Sequence, residues 1–389
     1  MNELYLYSAA RTPLGAFQGQ FSPLAAHQLG AQAICAAVER AGLPPEALDE
    51  LVMGCVLPAG QGQAPARQAA LGAGLPVNLP CTTVNKVCGS GMKAIMLAGD
   101  AILAGHARAA VAGGMESMSN APYLLPGARS GYRMGHREVQ DHMFLDGLQN
   151  PYDGQLMGHF AEQCVRECHF NREQQDDWAR QSALRSQRAV AEGRFQAEIT
   201  PVEVRKRKDK LLIRQDEEPG RIDVERIAGL RPAFDPQGTI TAANASKIAD
   251  GAAAVVIGNG QWLDRQKPLA RIAGYTSFAR EPERFTLAPV GAMERLLQQV
   301  GWDRKDVDLW EINEAFAVVT LAAIQQMDLD PERVNVHGGA CALGHPLGAT
   351  GARIVVTLVH ALHQHGLKRG IASLCIGGGE ATAIAIERL

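Results

Sequence analysis

The chain has 389 residues, of which 46% are hydrophobic and 20% are charged, and its formal net charge is -3. This length predicts two or three domains with a sizeable core, and the composition excludes a disordered or fibrous protein. The small negative charge argues against nucleic acid as the main partner, because binding to phosphate backbones needs a concentrated basic surface. Residues 1–5 lack a signal-peptide pattern, and no apolar run approaches the roughly 20 residues of a membrane span. We therefore expect a cytoplasmic protein with no membrane partner.

Strand and helix signals alternate through the first part of the chain. Strands are predicted over 3–8, 51–57, 82–85 and 109–112, and helices over 24–41, 67–73 and 92–104. The stretch 92–104 carries almost no charge on any face, which is typical of a buried helix. The alternation predicts an α/β fold with a parallel core sheet.

The texture changes after Glu116, and prolines, glycines and charges dominate as far as Lys247. One amphipathic helix is predicted here, over 173–192, with Asn171 and Gln174 as a capping pair. We interpret this stretch as an inserted domain rather than sheet. The alternation then resumes, with strands predicted over 252–257, 270–273 and 309–312 and helices over 290–300 and 314–327.

A pattern from the first part of the chain recurs near its end. Val84-Asn85, a glycine-rich turn, an apolar helix and a strand ending in Gly-Gly are echoed from Val334-Asn335 to Gly378. The echo predicts two similar halves placed face to face, which would gather Cys88 and His345 into a single site.

The eight cysteines are spread along the chain, which predicts reduced thiols rather than a disulfide framework. Cys164, Cys168 and His169 lie close together, but no second Cys/His pair at zinc-finger spacing follows them. We therefore favour a helix with two half-buried thiols over a metal site.

Cys88 follows a predicted strand and precedes the buried helix, so it lies at or beside a helix N-terminus. Unpaired N–H groups and the helix macrodipole favour a thiolate there. Gly89 and Gly91 would let a substrate carbonyl approach the backbone. The order strand, turn, nucleophile and helix is typical of acyl-transfer enzymes. A buried structural cysteine in a tight turn is the open alternative.

Two histidines occur in the glycine-rich segment 336–346. Pro346 disfavours helical geometry at His345 and fixes that residue at the mouth of the following helix. A rigidly held histidine suits proton transfer near neutral pH. His337 is the alternative base, but it lies in the strand-like start of the segment, so we prefer His345.

Two more residues stand at predicted strand ends. Cys375 precedes three glycines, whose N–H groups could hold an oxyanion. Asn313 could cap the next helix or hold a water, and propensity favours the cap. With Cys88 and His345 they would share the strand ends where α/β folds collect active sites. The set suits capture of an acyl group, followed by attack of a carbanion formed beside a thioester.

Eight motifs together match one known family. They are Ser8-Ala9-Ala10-Arg11-Thr12-Pro13, Asn85-Lys86-Val87-Cys88-Gly89-Ser90-Gly91, Gly113-Gly114-Met115-Glu116-Ser117-Met118-Ser119, Asn244-Ala245-Ser246, Asp250-Gly251-Ala252-Ala253, Asn313-Glu314-Ala315-Phe316, Gly344-His345-Pro346 and Cys375-Ile376-Gly377-Gly378-Gly379. In this set the sequence resembles the thiolase family along its whole length, and its biosynthetic type in particular.

The resemblance implies a duplicated five-layer α/β/α/β/α fold with two similar five-stranded halves. The first half would be 1–118, completed by 248–268, and the second 269–389. An inserted loop domain, 119–247, would bind coenzyme A and form tetramers, since 115–147 resembles the segment that joins dimers in biosynthetic thiolases. The implied activity is that of an acetyl-CoA C-acetyltransferase, which converts two acetyl-CoA into acetoacetyl-CoA and CoA or runs the reverse thiolysis. Coenzyme A would be a substrate, with no cofactor and no metal.

Catalytic roles are implied by the same motifs. Cys88 resembles the acylated nucleophile, and His345 the residue that takes its proton and then contacts the thioester oxygen. Cys375 resembles the acid/base that removes a Cα proton from the second acyl-CoA. Asn313 would hold a water that forms one oxyanion hole with His345. The backbone N–H groups of Cys88 and Gly377 would form the other.

Binding roles are implied as well. Ser246 matches a residue that touches the pantetheine arm, Met157 one that lines the acyl pocket, and Phe316 lies in a matching motif. Arg221 and the basic cluster 205–210 are candidates for the CoA phosphates. For any one of these basic residues, a solvated charged hairpin is the favoured alternative.

The sequence departs from the family pattern at two places. Leu156 stands where many biosynthetic members have a histidine, and His159 follows two residues after Met157, which leaves acyl-chain preference open. Glu380-Ala381 stands where the family often has an uncharged residue and a glycine. The alternatives are a degradative thiolase of longer 3-ketoacyl-CoAs, a ketosynthase-like condensing enzyme and an inactive acyl-CoA-binding scaffold.

Overall fold

The computed structural model describes residues 3–206 and 209–389. The strands are β1 (Leu4–Arg11), β2 (Gly15–Ala16), β3 (Glu50–Gly54), β4 (Cys81–Val84), β5 (Ala109–Ser117), β6 (Tyr123–Leu124), β7 (Gln140–Asp141), β8 (Val202–Lys206), β9 (Asp209–Ile213), β10 (Ala249–Gly258), β11 (Ala270–Ala279), β12 (Leu309–Ile312), β13 (Arg369–Ile376) and β14 (Glu380–Arg388). The helices are α1 (Ala26–Ala41), α2 (Pro65–Gly72), α3 (Ser90–Leu103), α4 (Met157–Glu167), α5 (Arg172–Ala191), α6 (Ala288–Val300), α7 (Ala317–Met327), α8 (Ala340–Leu343) and α9 (Leu347–Gln364). Each predicted element is present, with ends shifted by a few residues.

Ten of these strands form one mixed sheet in the order β12-β13-β14-β11-β1-β10-β5-β3-β4, with β2 beside β10. The α/β class is therefore confirmed, whereas the prediction of a parallel sheet is wrong. Within this sheet the parallel pairs are β4-β3, β3-β5 and β12-β13. The pairs β13-β14, β14-β11, β11-β1, β1-β10 and β10-β5 are antiparallel. The strands β13 and β14 are joined by a glycine turn too short for the crossover that a parallel pair requires.

The sheet has two halves that meet where β1 pairs with β11. Helices α1 and α2 pack on the outer face of the first half, and α6 packs on the outer face of the second. Helices α3 and α9 pack against each other between the two halves, where they contact strands of both. These contacts give the five layers α/β/α/β/α. As predicted, α3 is largely buried.

The close packing of α3 on α9 depends on Gly91. A Cβ atom at this position would lie 2.8 Å from the backbone nitrogen of Ala352 and 2.9 Å from the carbonyl oxygen of Gly348. Both distances are shorter than real side chains allow, so a larger residue would push the helices apart. Gly91 therefore brings the start of α3, and the Cys88 segment before it, against the start of α9.

The two halves are similar but not equal. The first half has five strands, in the order β4-β3-β5-β10-β1, whereas β12, β13, β14 and β11 make four in the second. Where β4 pairs with β3 in the first half, the second has a single parallel bridge between Val334 and Trp310. The expectation of two five-stranded halves is thus corrected in the second half, whose fifth strand is reduced to this bridge.

The chain between β5 and β10 leaves the main sheet and forms α4, α5 and the hairpins β6-β7 and β8-β9. Asn171 and Gln174 cap α5 as predicted, with the Asn171 side chain 2.8 Å from the backbone nitrogen of Gln174. Arg11 of β1 anchors this region by buried ion pairs with Glu198 at 2.6 Å and with Asp216 at 2.7 Å. Among the described residues, no helix is both long and apolar enough to cross a membrane.

Candidate active site

Cys88 lies on a strained turn between β4 and α3, with Gly89 as the N-cap of the helix. Val87 just before it has a φ of +45°, which is rare for a β-branched residue. The turn is held by its neighbours. The Val87 N–H donates to Asn85 Oδ1 at 2.9 Å, and the Ser90 hydroxyl donates to the Val87 carbonyl at 2.7 Å. These bonds fix the backbone that carries the thiol.

The Cys88 thiol is half-buried and packs against an apolar cluster that contains Met118 and Leu347. Burial raises its pKa to about 11, although the N–H groups of Gly377 and of Cys88 itself favour the thiolate and lower it. The N–H groups thus act in the predicted direction, but the effect of burial on the pKa is larger. A protonated thiol needs a base before it can act as a nucleophile.

His345 is buried and lies in the loop between α8 and α9, not at a strand end as the sequence suggested. Its Nδ1 is 2.6 Å from Thr350 Oγ1, and the Thr350 hydroxyl donates its one hydrogen to the Pro346 carbonyl at 2.9 Å. Nδ1 must therefore carry the imidazole hydrogen. Nε2 is left with a free lone pair and has no partner among the described residues.

Burial lowers the pKa of His345 to about 3, with a further contribution from the positive charge of Arg353. The imidazole is thus neutral at physiological pH and suited to accept a proton. His337, the alternative base, has its Nε2 3.1 Å from Gln364 Oε1, and its ring stacks on that of His365 with centroids 5.5 Å apart. This placement supports the preference for His345.

Cys375 is fully buried near the end of β13. Burial raises its pKa well above the usual value, and the nearby sulfur of Cys88 raises it further. The turn that follows brings Gly377 close to the first half. A Cβ at Gly377 would lie 3.5 Å from Met157 Sδ and 3.9 Å from Val87 Cγ1. The structure thus brings the two thiols and the N–H of Gly377 together from distant parts of the chain.

Asn313 directly follows β12, and its side chain is 1% exposed. The capping interpretation is wrong, because α7 begins at Ala317 with Phe316 as its N-cap. In the described part of the chain neither Oδ1 nor Nδ2 of Asn313 has a hydrogen-bond partner. Buried amides are nearly always paired, so this side chain is suited to hold a water or a substrate group.

Two buried carboxylates that support the site were missed at the level of sequence. Glu116 accepts hydrogen bonds from the backbone N–H groups of Val56 at 2.9 Å, Leu57 at 3.1 Å and Gly348 at 2.8 Å. Burial raises its pKa to about 7 despite these donors. Glu116 thereby ties the start of α9 to the first half of the sheet. A carboxylate within the apolar strand β5 was the signal in the sequence that could have indicated this buried role.

The second buried carboxylate is Glu314. It accepts from Trp178 Nε1 at 3.0 Å, from the Ser182 hydroxyl at 2.7 Å and from Asn335 Nδ2 at 2.9 Å. It also accepts from the backbone N–H of Cys341 at 3.1 Å. These bonds tie α5 to the segments that carry Asn313 and His345. The motif that contains Glu314 was noted in the sequence, but its contacts come from distant residues.

A cavity of about 340 Å³ opens beside these groups. Its walls are mostly apolar and include Leu156, Met157 and Phe316, while Ser246, Lys247 and His345 supply polar groups. The structure thus brings together four residues predicted for the site, namely Met157, Ser246, Phe316 and His345. A larger depression of about 620 Å³ lies along α5 and contains none of the predicted residues.

The residues predicted to contact the CoA phosphates are not among those that line this cavity. Arg221 is exposed and lies 3.4 Å from Glu217. In the basic cluster, Arg205 and Lys210 lie on the β8-β9 hairpin at 3.8 Å and 3.0 Å from Glu203. The cluster residues 207 and 208 fall outside the described residues. Arg205 and Lys210 match the solvated hairpin that was the favoured alternative.

The other sequence features have simple structural explanations. Cys164 and Cys168 lie on or next to α4 with their sulfur atoms 4.0 Å apart, and both are buried. Within 3–206 and 209–389 no three His, Cys, Asp or Glu side chains are grouped as a metal site would need. The ring of His159 packs edge-on against Phe234. Leu156, which stands where many biosynthetic members have a histidine, lines the cavity.

Comparisons with known proteins agree with this arrangement. The family described as Thiolase, N-terminal domain, matches residues 4–261, and Thiolase, C-terminal domain, matches residues 266–388. The chain is 48% identical to an acetyl-CoA acetyltransferase of Cupriavidus necator, with both chains covered in full. It is also 48% identical to the mitochondrial acetyl-CoA acetyltransferase of Bos taurus, covering all of this chain and 92% of that one.

A solved structure with a similar fold comes from the same family. The crystal structure of the Acat5 thiolase from Ascaris suum in complex with coenzyme A superposes with a TM-score of 0.94, at 45% identity and full coverage of both chains. Sequence and structure therefore agree from end to end, and the chain belongs to the thiolase family.

Proposed function

We propose that the chain is an acetyl-CoA C-acetyltransferase, which joins two acetyl-CoA into acetoacetyl-CoA and CoA or cleaves acetoacetyl-CoA with CoA. The observation that carries this proposal is the neutral His345, whose Nδ1 is bonded to Thr350 while its Nε2 has no partner in the part of the chain that the structure describes. This base lines an apolar cavity beside the half-buried thiol of Cys88. The relatives named acetyl-CoA acetyltransferase support the same substrate.

In the first half-reaction, the Cys88 sulfur attacks the carbonyl carbon of acetyl-CoA and its proton passes to Nε2 of His345. The bond between that carbon and the CoA sulfur breaks, and CoA leaves with the proton from His345. The N–H groups of Gly377 and Cys88 stabilise the oxyanion. Stabilisation of this kind by preorganised donors is usually the largest single contribution to catalysis. The products are acetyl-Cys88 and free CoA.

In the second half-reaction, the Cys375 thiol gives its proton to the neutral His345, and the resulting thiolate removes a Cα proton from a second acetyl-CoA. The carbanion attacks the acetyl carbon, and the bond to the Cys88 sulfur breaks to give acetoacetyl-CoA. The Cα proton stays on Cys375 and the proton held by His345 passes to the Cys88 sulfur, so that both cysteines end as thiols. Burial raises the pKa of Cys375, so its thiolate is a strong base once it forms.

The negative charge that builds on the second thioester oxygen needs its own stabilisation. We assign it to His345 and to a water held by Asn313, whose amide is buried and has no partner in the described part of the chain. A binding role for Ser246, Met157 and Phe316 follows from their place in the cavity wall. The cavity is small and apolar, which suits a short acyl group.

Incubation with acetoacetyl-CoA and free CoA tests the proposal. The expected result is release of acetyl-CoA together with an acetylated peptide that contains Cys88, detected by mass spectrometry. Turnover on longer 3-ketoacyl-CoAs with little on the C4 substrate would favour the degradative alternative. Binding of CoA with neither turnover nor acetylation would favour an inactive acyl-CoA-binding protein and refute the proposal.

We further propose a homotetramer in the cytoplasm. The segment 123–145 exposes apolar side chains, among them Tyr123 at 69%, Met134 at 90% and Val139 at 58%. Exposed apolar patches of this kind mark protein–protein interfaces. The expected mass by light scattering is that of four chains. Met134→Glu should reduce it to two, and an unchanged mass would place the interface elsewhere.

A further inference from the structure

Lys247 directly follows Ser246 and lines the cavity with it. Its ammonium group does not point to a carboxylate. It donates instead to three backbone carbonyls of the preceding loop, those of Ala242, Ala243 at 3.4 Å and Ala245 at 3.3 Å. The bond to Ala242 is the shortest of the three. Lys247 therefore folds back over the loop that carries its neighbour Ser246.

The number of donors matches the number of acceptors. A lysine ammonium carries three hydrogens and no acceptor, and three carbonyls face it here. In the described part of the chain no other group donates to these carbonyls. Burial lowers the pKa of Lys247, while the negative charges of Glu218 and Glu314 favour its charged form. Hydrogen bonds from a charged donor are also stronger than neutral ones.

The loop that Lys247 closes is connected to the rest of the site. The N–H of Ser246 donates to the Ala315 carbonyl at 2.9 Å, and the N–H of Ala317 donates to the Asn244 carbonyl at 2.7 Å. The carbonyl of Lys247 itself accepts from the N–H of His345 at 2.9 Å. The loop thus lies between the segment that follows Asn313 and the one that carries the base.

We propose that Lys247 is a positioning residue, an internal cation that gathers the three carbonyls and holds the loop 242–246 in the shape that binds the substrate. The inference rests on the proposed function, because it takes Ser246 as a contact to the pantetheine arm of CoA. Without the ammonium the three carbonyls lose their common donor, and nothing then gathers them into this shape. The substrate would then have to order the loop on binding, so affinity falls more than the rate of the chemical step.

Lys247→Met tests this, because it replaces the apolar part of the side chain with one of similar length and removes the ammonium group. We expect the Kd of CoA by calorimetry and the KM for acetoacetyl-CoA to rise by about tenfold, with kcat within about threefold of the wild type. The matched control is Lys305→Met, which removes a lysine that is 81% exposed and lies 3.6 Å from Asp303. This control should leave all three quantities unchanged.

Chemical rescue separates positioning from a general loss of structure. Lys247→Ala removes three methylene groups and the ammonium, the same atoms that propylammonium supplies. We expect propylammonium to restore CoA affinity to this variant, whereas 1-propanol should not. Unchanged CoA affinity in Lys247→Met would overturn the proposal, and so would a loss that propylammonium fails to restore. A wild type that binds CoA without turnover would refute the proposed function alone, since the affinity comparison still holds.

Discussion

Thr350 decides which nitrogen of His345 is free, and this makes it the most informative position to change. Its Oγ1 accepts from Nδ1 of His345 at 2.6 Å while its own hydrogen goes to the Pro346 carbonyl at 2.9 Å. Thr350→Val keeps the shape of the side chain and removes the hydroxyl. Nδ1–H is then buried with no acceptor, and the tautomer that carries the hydrogen on Nε2 no longer costs a hydrogen bond.

The expected loss follows from the cost of leaving a buried polar group unpaired, about 1–3 kcal/mol. If the whole of this energy destabilises the active tautomer, in which Nδ1 carries the hydrogen, acylation slows by about 5- to 150-fold. The assay is a single-turnover acetylation of Cys88 by acetyl-CoA, quenched and quantified by mass spectrometry. Thr350→Ser should recover most of the rate, since it retains the hydroxyl.

Thr357 provides a matched control on the same helix, α9. It is equally buried, and its hydroxyl donates to Glu198 Oε1 at 3.3 Å, away from the cavity. Thr357→Val should therefore lower the free energy of unfolding by about as much as Thr350→Val, roughly 1 kcal/mol, yet leave acylation unchanged. If the Thr350→Val enzyme acylates as fast as the wild type, the hydroxyl does not set the tautomer and the reasoning fails.

Three other predictions concern the same site. Asn313→Ala should slow turnover by roughly 10²-fold without lowering the melting temperature, because its amide has no partner to lose among the described residues; a large loss of stability would contradict this. Cys88→Ser should abolish acylation, whereas Cys375→Ser should acylate but fail to condense, as mass spectrometry would show; equal loss of acylation in both would refute the division of roles. Since the pKa of His345 is lowered to about 3, the base stays unprotonated above that pH. The pH profile of the acylation rate should then show no inflection near pH 6.5 due to this imidazole. An inflection there whose position changes in Thr350→Val would contradict the assignment.

The chemistry-bearing residues could be predicted because each stands in a local pattern. Cys88 precedes an apolar helix in a glycine-rich turn, Cys375 precedes three glycines, and Pro346 follows His345. Such short-range signals report on backbone geometry, and they predicted the elements well. They say nothing of the ionisation state of a group, which depends on burial. At Cys88 the effect of burial on the pKa is larger than that of the N–H groups that favour a thiolate.

What could not be predicted depends on contacts between distant residues. Glu116 and Gly348 are 232 positions apart, so no local pattern could indicate their hydrogen bond. The direction of the strands was missed for a related reason. A propensity pattern does not distinguish a strand that returns through a tight hairpin, as β14 does after β13, from one that returns through a helix.

The electrostatics of the two partners imply when charge separates in this site. Burial raises the pKa of Cys88 to about 11 and lowers that of His345 to about 3, so both shifts oppose a thiolate–imidazolium pair in the empty enzyme. The N–H groups of Gly377 and Cys88 act in the other direction, but they do not offset the effect of burial. The proton should therefore move only as the thioester carbonyl takes up negative charge. Only interactions that are stronger in the transition state than in the ground state accelerate a reaction. Because Cys88 and His345 are neutral at rest, the N–H groups of Gly377 and Cys88 interact more strongly with the charge of the transition state than with the resting enzyme.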